Sequence, residues 1–205
     1  MYYNFRQEFS YESKDDYVDA TYMTLVDVNN LEDGSRFTNL KVVVTMVQGS
    51  NIYITDSSGF PSMIYSGPDY LKEGETVVIK GEKTSYTYNE VCRLTDVEVL
   101  YYSADSIIYE SYDVDSGNVH ELYNIELNYK KIYLKGATIT SITSDKSGYV
   151  ELGGNKIRIT DYSYSLLGFQ EGQKVNVSGI ITNFSNKLII KTYDISVSEE
   201  YGEIR

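Results

Sequence analysis

The chain has 205 residues, 41% of them hydrophobic, with 22 tyrosines, no tryptophan and a formal net charge of −12 at pH 7. Its length suits two domains of about 80–100 residues, its apolar content is too high for a disordered acidic chain, and it contains no run of roughly 18 apolar residues that could span a bilayer as a helix. Cys92 is the only cysteine, which excludes an intrachain disulfide and a cysteine-rich zinc site, and the acidic field repels phosphate, so nucleic-acid binding would need a local basic groove.

Residues 1–34 form an N-terminal extension. Met1-Tyr2-Tyr3-Asn4-Phe5 has neither the basic nor the apolar region of a secretory leader. Lys14-Asp15-Asp16 is solvated, whereas Tyr22, Met23, Leu25, Val26 and Val28 suit either a short helix or an added strand. Residues 35–102 read as a first β domain. Val42, Val44 and Met46 alternate with Val43, Thr45 and Val47, so both faces of the first strand are apolar, as in the long curled strand of a small closed barrel. After the turn Gly49-Ser50-Asn51, Ile52 and Ile54 face one way and Tyr53 and Thr55 the other. Ser57-Ser58-Gly59 closes this strand, and Met63-Ile64-Tyr65 forms the third. The connection over 67–71 has room for at most one helical turn. Residues 76–82 and 91–100 complete five strands, joined by the polar, aromatic tip Ser85-Tyr86-Thr87-Tyr88-Asn89.

Residues 103–128 read as an acidic linker with some β character, containing Asp115-Ser116-Gly117-Asn118, with Ile107, Ile108 and Tyr109 packing part of it on a barrel. The first order of strands then recurs over 129–205. Glu73-Gly74-Glu75-Thr76-Val77 matches Glu171-Gly172-Gln173-Lys174-Val175, and Gly81 matches Gly179 at the same spacing. Pairing Ile54-Thr55-Asp56 with Ile159-Thr160-Asp161 would leave the second copy one strand short. Strand order therefore favours a second strand at 149–152, a turn at Gly153-Gly154-Asn155, a third strand at 156–160, a connection over 161–169 and a closing strand at 187–197. The expected fold is all-β, with two tandem five-stranded OB-like Greek-key barrels.

Asp33-Gly34-Ser35, the apolar strand at 42–47, residues 52–59, Leu71-Lys72-Glu73-Gly74-Glu75, and Gly81 followed by residues 86–89 together resemble the OB-fold repeats of exported Bacteroidetes proteins. The resemblance covers residues 34–100 and, more loosely, 130–197. It implies an exported or surface-anchored protein, such as a lipoprotein, in a family held to bind nucleic acid. Its signals are turn glycines and an apolar strand code, which specify a barrel more than a ligand.

In OB barrels the ligand groove crosses the second and third strands between two loops. Mapped here, it would expose Tyr53, Tyr65, Tyr86, Tyr88 and Arg93 in the first barrel. In the second, Lys156, Arg158, Lys187 and Lys191 with Tyr149, Tyr164 and Phe184 form the more basic surface. These residues could stack and neutralise a single-stranded nucleic acid. They equally suit barrel-wall tyrosines and a strand edge guarded by lysines, or a face binding protein or glycan. Calcium-loop spacing fails in both acidic segments, since Gly117 falls fifth from Asp113 and Gly34 comes two residues late, so acidic turns are expected there. His120, the only histidine, lies in the linker, and no segment singles out a catalytic pair. A binding protein without cofactor or metal is therefore expected.

Overall fold

The computed structural model describes residues 21–85, 92–161, 166–184 and 187–198. In the first half, β1 (Arg36–Gln48), β2 (Asn51–Thr55), β3 (Pro61–Ile64), β4 (Thr76–Ser85) and β5 (Cys92–Tyr102) close in the order β1-β2-β3-β5-β4. In the second, the short β6 (Tyr112–Val114) precedes β7 (Lys131–Ser144), β8 (Ser147–Leu152), β9 (Asn155–Asp161), β10 (Lys174–Phe184) and β11 (Lys187–Val197). These last five strands repeat the same circuit, with β10 pairing back onto β7. In each circuit the third and fifth strands run parallel and the remaining neighbours antiparallel. That pattern is the five-stranded Greek-key barrel of the OB type, so the chain is two such barrels in tandem.

Alternation along the strands fills each interior. Val42, Val44, Ile52, Ile54, Val77 and Ile79 pack in the first core, and Ile132, Leu134, Val150, Ile157, Val175 and Ile190 in the second. The matched glycines sit where a neighbouring strand crosses too closely for a side chain. A Cβ on Gly81 would lie 2.9 Å from the Thr95 carbonyl oxygen, and one on Gly179 would lie 2.5 Å from that of Lys191. Both positions are register shifts in the ladder between the fourth and fifth strands. The repeat in the sequence thus records one steric requirement met twice.

Each barrel is also plugged from upstream. Met23 bridges Leu40 in parallel, and α1 (Leu25–Asn29), started by a Thr24–Asp27 capping box, buries Leu25 and Val28 in the first core. In the second barrel, β6 runs parallel to β7, and a 3-10 helix (Val119–Tyr123) inserts Val119 and Leu122. Residues 112–127, expected as part of a linker over 103–128, therefore belong physically to the second barrel, because β6 occupies the side of β7 that β8 leaves free. The repeating unit is larger than five strands. Residues 103–111 run between the two units, tied by the Ile107 amide donating to Thr76 Oγ1 at 3.2 Å.

The barrels meet over a third apolar cluster, in which Met46, Tyr53 and Met63 of the first pack against Tyr129 and Ile180 of the second. The outer face of β1 is apolar because it meets this cluster through Met46, which adds to the effect of strand curl. At the rim, Lys131 Nζ lies 2.9 Å from Glu73 Oε1. Burial opposes the charge on Lys131, but its hydrogen bonds to Glu73 and Tyr193 outweigh that and raise its pKa.

Candidate functional site

The residues expected in the first barrel separate on folding. Tyr53 points out of its barrel, as alternation requires, but into the junction, where it is fully buried. Its ring lies 5.7 Å from that of Tyr129, and Lys191 Nζ donates to its hydroxyl at 2.5 Å, so it offers no open stacking surface. Tyr65, just past β3, is 51% exposed and has the Arg93 guanidinium 5.9 Å from its ring centre. Arg93 Nε also donates to Tyr129 Oη at 3.1 Å. Tyr86, Tyr88 and Tyr164 lie outside the described residues.

Of the residues expected in the second barrel, Tyr149, Lys156, Arg158, Lys187 and Lys191 fall on one sheet face, and the Phe184 side chain, like Tyr164, lies outside what is described. Ile157 and Ile159 of β9 and Leu188 and Ile190 of β11 face the core, so the period of two turns Lys156, Arg158, Lys187 and Lys191 outward. The registers Tyr149↔Arg158 and Glu151↔Lys156 join β8 to β9, and Arg158↔Ile189 and Thr160↔Lys191 join β9 to β11. With strands about 4.8 Å apart and a rise of about 3.3 Å per residue, the four cations fall within about 13 Å along the sheet. Lys156, Arg158 and Lys187 are exposed, and Tyr149 is half-buried with Lys156 Nζ 4.5 Å from its ring centre. Arg158 Nε donates to Ser147 Oγ at 3.4 Å. Lys191, at the end nearest the first barrel, is held below the usual lysine range by burial and then by the nearby charge of Arg93.

Pairing distinguishes this face from six cations elsewhere, and Lys72 and Lys130 join it in forming no ion pair among the described residues. Arg36, Lys41, Lys80, Lys83, Lys131 and Lys135 each form an ion pair with a carboxylate. Among the described residues, Lys156, Arg158, Lys187 and Lys191 form none. Lys146, exposed in the β7–β8 turn beside the face, was not among the residues singled out from sequence, although its position in a loop flanking the expected groove was a usable signal. Tyr129, which touches both Arg93 and Tyr53, had no local signal because its role arises only between barrels.

The acidic segment at 113–118 folds as a turn. Asp115 Oδ1 accepts from the Gly117 amide at 2.7 Å and the Asn118 amide at 3.3 Å, which satisfies it locally. Among the described residues no group of three or more His, Cys, Asp or Glu side chains converges as a metal site, and no helix is long and apolar enough to cross a membrane.

Fold and face together define a tandem OB-barrel protein that carries a cationic sheet surface on its second barrel. No family model matches the chain, and no curated protein matches it. Among solved structures it is similar to a murine DNA-binding protein bound to double-stranded DNA, with 8% identity, coverage of 82% of this chain and 98% of that one, and a TM-score of 0.42. It is also similar to the HINa domain of Ifi202 in complex with a 20 bp double-stranded DNA (11% identity, 83% and 99% coverage, TM-score 0.39). A deletion variant of the single-stranded DNA-binding protein from Thermus aquaticus matches at 10% identity, 85% and 100% coverage, and a TM-score of 0.26. At these values the reading of this chain rests on its own residues.

Proposed function

We propose that this chain is a non-catalytic protein that binds single-stranded nucleic acid on the outer face of β8, β9 and β11. The observation that carries the reading is the cluster Lys156, Arg158 and Lys187, exposed and free of ion pairs among the described residues of a chain whose net charge is −12. Elsewhere in the protein six cations are neutralised by a carboxylate, so the local field at this face is opposite to the mean field. The second and third strands of an OB barrel are where such folds hold oligonucleotides, by a positive track for the backbone and aromatic surfaces for bases. Tyr149 and, across the junction, Tyr65 beside Arg93 supply those surfaces.

The net charge favours a second reading, in which the same face binds a protein or a glycan. Salt separates the two, because phosphate contacts release counterions and weaken steeply as salt rises. Fluorescence anisotropy of labelled mixed-sequence single-stranded DNA and RNA provides the test. Saturable binding at about 20 mM salt that weakens strongly by about 200 mM supports the reading. No binding at low salt and high protein concentration overturns it and leaves the face to protein or glycan.

A further inference from the structure

The junction inside the chain is a template for a contact between chains, because the two barrels share one register. The row Met46↔Tyr53↔Met63 across β1, β2 and β3 receives the second barrel, and the same ladder positions in the second barrel are Ser141↔Tyr149↔Arg158 across β7, β8 and β9. Each row begins at the residue that follows a bulge. The surface seated on the first row lies on the start of β7 and on β10 and β11, where Ile180 is in register with Lys131 and Lys191. Gly179 before Ile180 matches Gly81 before Glu82, and Glu82 is in register with Arg36 and Thr95. The first barrel therefore carries a counterpart of the surface that docks, and the second a counterpart of the row that receives.

The side chains at these positions change in step. Within the chain, Met63 shares an apolar cluster with Ile180, Lys131 lies 2.9 Å from Glu73, and Lys191 donates to the Tyr53 hydroxyl. The corresponding pairs between two chains are Arg158 with Glu82, Arg36 with Glu171, and Thr95 with Tyr149. The apolar pair becomes an ion pair, the ion pair remains one, and the tyrosine keeps a polar neighbour. A further exchange leaves room for the longer Arg158. The Tyr129 amide donates to the Ile181 carbonyl oxygen as the Gly34 amide does to that of Lys83, so the ring that packs on Tyr53 has a glycine as its counterpart.

These groups are accessible. Arg158 and Glu171 are exposed, and Glu171 accepts from the Ile142 amide at 3.4 Å. The exposed Arg36 guanidinium spans Glu82 at 3.8 Å and Asp96 at 3.6 Å. Ion pairs of that length in water contribute little, so Arg36 can turn to Glu171 and release Glu82 to Arg158. Complementary charge at each position selects the partner even though both chains are acidic overall.

We propose that the chain associates head to tail with a second copy, the surface of β1, β4 and β5 around Glu82 of one seated on the β8–β9 face around Arg158 of the other, as the second barrel sits on the first within the chain. Such a contact joins two different surfaces, so a dimer keeps one of each free and growth continues unless the rotation closes a ring. The contact covers the cationic face, so self-association and an oligonucleotide exclude each other there, but the inference does not rest on the nucleic-acid reading.

The test is sedimentation velocity on the full chain between about 10 µM and about 1 mM. Salt of about 100 mM screens the repulsion between two chains of charge −12 beyond about 10 Å and leaves contact pairs in place. The expected result is an average mass that rises with concentration above the monomer. Arg158→Glu and Glu82→Arg should each weaken association about tenfold or more, because each sets like charges against one another in the contact. An equimolar mixture of the two variants should associate as wild type does, since every contact between unlike chains then pairs opposite charges, and this recovery also shows that both are folded. Glu82→Arg leaves the cationic face intact, so oligonucleotide binding by that variant is read apart from self-association. The proposal is overturned by a chain that stays monomeric at about 1 mM, by association that either variant leaves intact, or by a mixture that remains as dissociated as its components.

Discussion

Replacing Arg158 with alanine removes one of three exposed, carboxylate-free cations from the β8–β9–β11 face and leaves Lys156 and Lys187 in place. For a single strand, the logarithm of affinity falls with the logarithm of salt by about 0.7 per phosphate neutralised, so three contacts give a slope of about −2.1. A tenfold rise in salt then weakens wild-type binding about 100-fold, and the slope in Arg158→Ala flattens to about −1.4, or about 25-fold over the same range. The net charge of −12 adds a repulsion that salt screens. That term makes every slope shallower but leaves the difference of about 0.7 between the two proteins. Arg158→Lys keeps the charge and should keep the wild-type slope. Lys80→Ala, which removes an ammonium already 2.8 Å from Glu98 in the first barrel, should change little. Anisotropy titrations at four or so salt concentrations measure all four slopes. Identical slopes for wild type and Arg158→Ala, or a Lys80→Ala effect as large as that of Arg158→Ala, would refute the argument from unpaired cations.

Three further expectations concern the fold. Gly179→Ala should destabilise more than Gly81→Ala, because its new methyl meets the Lys191 carbonyl oxygen at 2.5 Å and Ile190 Cγ2 at 2.6 Å, against 2.9 Å to the Thr95 carbonyl oxygen for Gly81. Both losses should fall in the range of about 1–3 kcal/mol by urea unfolding. Leu122→Ala should cost about 2–5 kcal/mol, as for any fully buried leucine, and a loss under about 1 kcal/mol would show that the segment is a loose linker after all. Asp33 accepts from Lys83 Nζ at 2.5 Å and from Ser85 Oγ at 2.9 Å, which hold its pKa below the usual carboxylate range, the lysine contributing most. Because the folded value is depressed, this stabilisation is present above the unfolded value near 3.9 and disappears as pH falls through the folded one. Asp33→Asn should therefore lose less stability than wild type between about pH 5 and pH 2, read from urea midpoints.

Features with a short-range physical cause were the ones legible in the sequence. Strand order in the second barrel followed from the recurrence of the first barrel's order, anchored by the match of Gly74 with Gly172 and of Gly81 with Gly179, the latter pair marking strand crossings. Letter identity at Ile159-Thr160-Asp161 pointed to the wrong register, because the backbone repeat does not require those side chains. The plug of the second barrel was illegible for the opposite reason. Tyr112–Val114 is three residues long and is a strand only because β7 has a free edge, while Val119 and Leu122 mark a single short 3-10 helix.

The site shows the same division at finer grain. Alternation placed Tyr53 on the outside of its barrel, yet whether an outward ring is open or covered depends on docking against Tyr129 and Ile180, far along the chain. Charge behaves likewise. Lys80 and Lys156 are indistinguishable as letters, and each lies opposite a glutamate in register, Glu98 and Glu151. Lys80 reaches its carboxylate at 2.8 Å, whereas Lys156 lies over the Tyr149 ring at 4.5 Å instead. Composition counts both as one positive charge, but only the second leaves its charge available to an anion. A basic site on an acidic protein is therefore set by where carboxylates fail to reach lysines, and that depends on side-chain geometry after folding.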